Sequence, residues 1–149
     1  MFTGYFILSL ASLFAPHLKE VIDSDLLQGV WFKQSQVVVA KFLPRTEGPI
    51  VYKTIAFEKK LCRTASLLPG DVSDSLEFTY KLDCSTQPYR IYGIGDENVI
   101  VLYAFYSIDS DGNLHITRPL NFKPGDFNKL RSDDLDKIEK LVVVLKKRK

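Results

Sequence analysis

The sequence predicts an all-β fold, an antiparallel barrel or sandwich, and three observations carry that expectation. Alternation of period two dominates the middle of the chain. Clusters of Gly, Pro, Asp and Asn separate the alternating runs at short intervals. Only one late stretch has a helical pattern. About seven short strands joined by tight turns suit a closed or two-layered antiparallel sheet.

The chain has 149 residues, enough for one domain. Hydrophobic residues are 46% and charged residues 26%, which excludes a disordered, collagen-like or coiled-coil chain. A net charge of +2 is too weak for a general nucleic-acid binder, so no nucleic-acid partner is expected. No apolar run reaches the roughly 18 residues of a membrane span.

Phe6-Ile7-Leu8-Ser9-Leu10-Ala11-Ser12-Leu13-Phe14-Ala15 is an apolar run ahead of Pro16. It has the length of a signal-peptide core, and Ser9-Leu10-Ala11 offers a small-x-small cleavage site. Residues 1–15 are therefore a candidate signal peptide, which would make the protein secreted or periplasmic, in the cell envelope. No Lys or Arg precedes the run, and a hydrophobic helix packed on the domain is the other reading. Residues 16–23 read as a linker or short helix, and residues 24–149 as the domain.

Strand patterns follow in order. Val30 to Phe42 is strand-like. Ile55, Phe57 and Leu61 alternate with Ala56, Glu58 and Lys60. Leu76, Phe78, Tyr80 and Leu82 alternate with Glu77, Thr79 and Lys81, which gives one dry and one wet face. Tyr89 to Ile94 is strand-like. Val99 to Tyr106 is apolar on both faces and rich in β-branched and aromatic residues, so it is expected to be covered on both sides. Leu114 and Ile116 alternate with His115 and Thr117, and Leu141 to Leu145 is the last strand. Pro69-Gly70-Asp71, Gly95 to Asn98 and Ser110-Asp111-Gly112-Asn113 are turn signals. Ser132 as a cap, Asp133 and Asp134 in the first turn, and Leu135, Ile138 and Leu141 on one face predict a short helix before the last strand.

Five segments carry a family resemblance: Gly29-Val30-Trp31, Leu82-Asp83-Cys84-Ser85-Thr86-Gln87-Pro88, Tyr106 to Leu114, Arg118-Pro119-Leu120-Asn121-Phe122 and Leu141 to Lys147. The first resembles the Gly-x-Trp motif of lipocalins. The others resemble the Leu-Asp-Pro-x-x-x-Pro turn, the Tyr-x-Leu-Asp-Gly-Asp-x-Leu hairpin, the Arg-Pro-x-x-Phe segment and the closing strand of a family of uncharacterised bacterial lipocalin-like domains. Cys84 replaces the first proline of the turn, and the stretch from Pro124 to Lys140 is longer than the family's loop. The resemblance implies a lipocalin-like antiparallel up-and-down β-barrel, with a short N-terminal hydrophobic or helical segment and first and last strands adjacent. It further implies that Trp31 closes one end, above Gly29, with a basic residue among Lys146, Lys147 and Arg148 lying over the ring.

Few residues suggest chemistry. His17 and His115 form no recognisable Ser/His/Asp or Cys/His arrangement. Asp109 to Asn113 fails the spacing of a calcium loop. Gly93-Ile94-Gly95 is not a dinucleotide fingerprint. Cys62 and Cys84 could pair in an oxidising compartment or remain free thiols. Lys146 to Lys149 is a basic run that suits either an anionic surface or a solvated strand end. No enzyme, metal or cofactor is expected. Phe57, Phe78, Tyr80, Tyr103 and Phe105 are the expected inward lining of the barrel. A small hydrophobic ligand within that lining is the first functional expectation. The alternative is a filled barrel, or one with only a shallow cup, acting as a protein-interaction module through its loops, with the Pro119-to-Lys140 connection as its surface.

Overall fold

A computed structural model describes residues 2–41, 43–45 and 50–148, with side chains described for 15–41 and 50–148. It opens with α1 (Phe2–Leu27), a continuous helix of 26 residues. The linker or short helix expected over 16–23 is therefore no separate element. Helix continues across Pro16, even though that residue lacks the N–H of a normal helical bond.

The strands are β1 (Gly29–Ala40), β2 (Leu43–Arg45), β3 (Val51–Glu58), β4 (Leu61–Leu68), β5 (Val72–Asp83), β6 (Arg90–Ile94), β7 (Ile100–Ile108), β8 (Leu114–Pro119) and β9 (Lys140–Lys147). From β3 to β9 each strand pairs with the next, always antiparallel. β9 then returns to β1, from Trp31 opposite Lys147 to Val39 opposite Lys140. The expected fold is the observed one: β1 and β3–β9 form a closed up-and-down antiparallel barrel. β2 only flanks the far end of β1, and Phe42 of the expected Val30–Phe42 strand lies outside the described residues.

β1 changes partner along its length. Gly29 to Phe32 pair with β3, and Val38 to Ala40 pair with β2. Between those ladders the backbone of β3 would lose its partner on β1. Gln36, 8% exposed, fills the gap with its side chain. Its Oε1 accepts from the Tyr52 N–H at 2.9 Å, and its Nε2 donates to the Ile50 carbonyl at 2.6 Å. A bulge between Lys33 and Ser35 makes this geometry available. It shifts the inward set from the odd position Trp31 to the even positions Gln36 and Val38.

Two expected elements differ. The alternation from Ile55 to Leu61 is broken by a hairpin turn, with Glu58 opposite Leu61 and Lys59 at φ 54°. The Gln28 side chain holds that turn: its Oε1 accepts from the Lys59 N–H at 2.6 Å, and its Nε2 donates to the Lys59 carbonyl. Before the last strand there are α2 (Pro124–Phe127) and a 3₁₀ segment over Ser132–Lys137, not a helix reaching Leu141. Ile138 is already extended, and Lys140 and Leu141 are taken into the β8–β9 ladder opposite Pro119 and Arg118.

α1 ends against one mouth of the barrel. Its last carbonyls have no helical partners. Trp31, 2% exposed, donates its indole N–H to the Leu27 carbonyl at 2.8 Å. Lys147 Nζ donates to the Leu26 carbonyl at 2.8 Å and stands 5.5 Å from the Trp31 ring centre. Gly29, at φ 120°, lies beneath the Lys147 stem; a Cβ there would sit 3.0 Å from its Cε. Of the other basic candidates, Arg148 lies over Phe32 instead, 5.7 Å from its ring centre.

Two outcomes follow for chemical denaturation. Trp31→Phe keeps a ring but leaves the buried Leu27 carbonyl without a donor, and stability should fall by about 1–3 kcal/mol. Gln36→Leu should lower stability by a similar amount, about 1–3 kcal/mol, because it strands the Tyr52 N–H and Ile50 carbonyl. An unchanged midpoint for Gln36→Leu would show that the side-chain bridge adds nothing to closure.

Candidate functional site

Five places among the described residues could hold a partner: the barrel interior, its open mouth, a groove on its outer wall, and two shallower hollows, one of about 500 Å³ between α1 and β5 and one of about 610 Å³ at the β3–β4 turn. Strand parity decides what fills the first. Phe57, Phe78 and Tyr80 point inward and belong to the main core, with Phe57 and Tyr80 edge to face at 5.0 Å. Gly93 leaves room for the Phe78 ring, since a Cβ there would lie 2.5 Å from it. Tyr103 and Phe105, expected as inward lining, point the other way. In β7 the inward residues are Leu102, Ala104 and Tyr106, so the odd positions face outward. Phe105 forms a second core with Phe127 and Leu130, against which Tyr92 and Tyr103 pack. The expectation that Val99 to Tyr106 is covered on both faces holds from Leu102 to Tyr106, whereas Val99, Ile100 and Val101 are 37–55% exposed. The cover on the outer face of β7 is the connection after β8.

Inside, the space left between Tyr52, Phe57, Ile91, Leu102 and Val143 is about 10 Å³. That is scarcely room for one water, where a ligand pocket has about 300 Å³ or more. At the open mouth, Thr64, Ser66, Asp74 and Arg118 border a cup of about 80 Å³. Arg118 donates to the Tyr52 hydroxyl and lies over that ring. Burial pushes the Tyr52 phenol above its ordinary pKa, although the Arg118 charge pulls the other way.

At the closed mouth the polar groups are consumed by the docking of α1. Asp23, 2% exposed, accepts from Lys19 Nζ at 2.9 Å and from the Tyr106 hydroxyl at 2.8 Å. The Tyr106 oxygen then takes the Cys84 thiol, 3.0 Å away. Ser24 bonds Tyr80 at 2.7 Å, and Gln28 donates to the same hydroxyl. Burial raises the Tyr106 phenol and also the Cys84 thiol. Cys62 and Cys84 are both free and buried. Cys62 sits opposite Phe78, and burial pushes its thiol up to about 12. A thiol so held is protonated at neutral pH and is a poor nucleophile.

The third place is a groove of about 490 Å³ between the outer faces of β5 and β6 and the segment that follows α2. Arg90, 3% exposed, forms its floor. Its guanidinium donates to Thr86 Oγ1 at 2.8 Å and to the Leu130 carbonyl, and it stacks 5.2 Å from the Phe105 ring centre. Lys81 and Arg131 border the groove, as do Asn128, which accepts from the Tyr92 hydroxyl, and Asp83. Asp83 also accepts from the Ser85 hydroxyl at 2.6 Å and from its N–H, bonds that hold its carboxyl below the usual range. Sequence reasoning missed Lys81, Arg90 and Arg131 because they come together only when the late connection folds back over β6. The one available signal was the excess length of that connection.

Other features have structural explanations. Asp109 folds its own turn, accepting from the Asp111 and Asn113 N–H groups, and His115 Nε2 bonds its other oxygen at 2.8 Å. Those contacts, His115 foremost, hold the Asp109 carboxyl below its ordinary pKa. Among the described residues no three His, Cys, Asp or Glu side chains gather as a metal site, and no helix is long and apolar enough to cross a membrane.

The Cys62 geometry gives a pH test. In the unfolded chain the thiol ionises near its ordinary 9.0, while in the folded chain it keeps its proton to about 12. Between those values the unfolded state binds fewer protons, so stability is full below pH 9 and falls as pH rises towards 12. Cys62→Ala should flatten that alkaline slope, and the native thiol should resist alkylation at pH 8 until denaturant is added. Rapid alkylation of the folded protein at Cys62 would refute the sealed interior.

No protein family, curated protein or solved structure matches this chain.

Proposed function

We propose that the protein is a non-catalytic, extracytoplasmic interaction module that docks a partner on the outer-wall groove. The single observation behind this reading is that the interior has about 10 Å³ of free space while the outer-wall groove, about 490 Å³, has a buried cation, Arg90, as its floor. The small apolar ligand expected inside the barrel finds no comparable volume there. The Pro119-to-Lys140 connection, expected as the interaction surface, serves in this reading as one wall of the groove, fastened by the buried Phe127 and Leu130.

The chemistry of the groove favours an acidic polypeptide segment. Lys81, Arg90 and Arg131 outnumber Asp83, whose carboxylate already accepts twice from Ser85. An incoming carboxylate would pair with Lys81 and Arg131 at the rim, where such pairs steer association more than they add affinity. Location outside the cytoplasm is supported by the apolar Phe6–Ala15 run, since such a run directs export whether it is cleaved afterwards or stays on the chain.

Native mass spectrometry of the purified protein tests the reading. A stoichiometric protein partner, lost in a Lys81→Glu, Arg131→Glu double variant that folds normally, is the expected result. A small apolar molecule that co-purifies with both forms would overturn it in favour of the barrel interior.

A further inference from the structure

We propose that α1 is a membrane-interface anchor: it stays on the chain and inserts into a lipid bilayer, seating the closed end of the barrel on the membrane. The inference is independent of the groove. It begins with what the docked part of α1 leaves uncovered. Asp23 and Leu27 are buried against the barrel, and Ser24 bonds Tyr80. Leu18, Val21, Ile22 and Leu26 recur at helical spacing and are 48–59% exposed. They make an apolar stripe with no partner among the described residues.

The sequence upstream says what medium covers that stripe. α1 runs back unbroken to Phe2, and no Asp, Glu, Lys or Arg occurs before Lys19. A helix that docks on a protein surface needs one apolar face; a helix without a charged face is buried on all sides, in a large core or in lipid. This barrel offers no such core, since its interior is full. The docked turns keep the anchor rigidly joined to the domain through Trp31 and Lys147. The same end carries Lys19, Lys59, Lys60, Lys146, Lys147 and Arg148 against Glu20, Asp23, Asp25 and Glu58, so a small positive excess accompanies the apolar stripe, which supplies the main driving force.

The test is flotation of the full chain with vesicles of phosphatidylcholine, alone and mixed with phosphatidylglycerol, at low and high salt. The full chain should float with both vesicles at both salts. Leu18→Glu combined with Ile22→Glu should cut the floated fraction about tenfold while near-ultraviolet circular dichroism stays unchanged. The Lys81→Glu, Arg131→Glu groove variant should float normally, which separates failure of this proposal from failure of the interaction reading. The proposal is overturned if the chain stays unbound, if it floats only with phosphatidylglycerol at low salt, or if it forms a dimer that buries Leu18 and Ile22. It is equally overturned if the mature protein has lost its first eleven to fifteen residues.

Discussion

The last turn of α1 ends in carbonyl groups that the helix itself cannot satisfy, and the barrel supplies their partners. Trp31 gives its indole N–H to Leu27, and Lys147 gives its ammonium to Leu26. These two residues face each other across the β1–β9 seam that closes the sheet. One cluster therefore does three jobs: it closes the barrel, ends the helix and aligns the helix with the barrel. The Lys147 charge at the helix C-terminus and over the indole adds about 0.3–1 kcal/mol for each favourable contact. Burial of the Trp31 ring contributes more, and the ring cannot leave without also exposing the helix end.

Filling the barrel is the second constraint. Phe57, Phe78 and Tyr80 occupy the width of a small barrel, and Gly93 gives up its side chain so that Phe78 fits. The aromatic residues that do not fit inside sit on the outer wall. Tyr92, Tyr103 and Phe105 would be exposed there but for α2 and Leu130, which cover them. The unusual length of the connection before β9 thus has a physical origin: it is the second layer over an apolar outer face. The groove exists because that layer stops short of β5.

Three polar side chains act as joints in this fold. Gln36 bridges the place where β1 leaves β3, Gln28 fixes the β3–β4 turn, and Asp23 ties α1 to Tyr106. Gln36 and Gln28 bond backbone groups that the ladders leave unpaired, and Asp23 ties two elements through side chains alone. A buried amide or carboxylate tolerates burial only when its bonds are made, so each of these side chains also fixes the register of the elements it joins.

Local pattern was enough to establish an antiparallel barrel or sandwich, most strand positions and the glycine-bearing turns. Period-two alternation and turn chemistry are properties of neighbouring residues, and they survive without knowledge of the rest of the chain. It was the resemblance of Gly29-Val30-Trp31 and the closing strand to lipocalin segments, not local pattern, that marked Trp31 and the basic strand end. Long-range packing settled what neighbouring residues cannot encode. The Lys59 turn has no Gly or Asn, and it forms because Gln28, thirty-one residues away, binds both its backbone groups. The bulge after Lys33 reversed the parity of β1, and pairing with β8 pulled Lys140 and Leu141 out of the expected helix. Whether an apolar β7 residue faced the core or the outer wall was likewise undecidable from a run apolar on both sides. The groove was illegible for the same reason, since Lys81, Arg90 and Arg131 meet only through packing between segments distant in the chain.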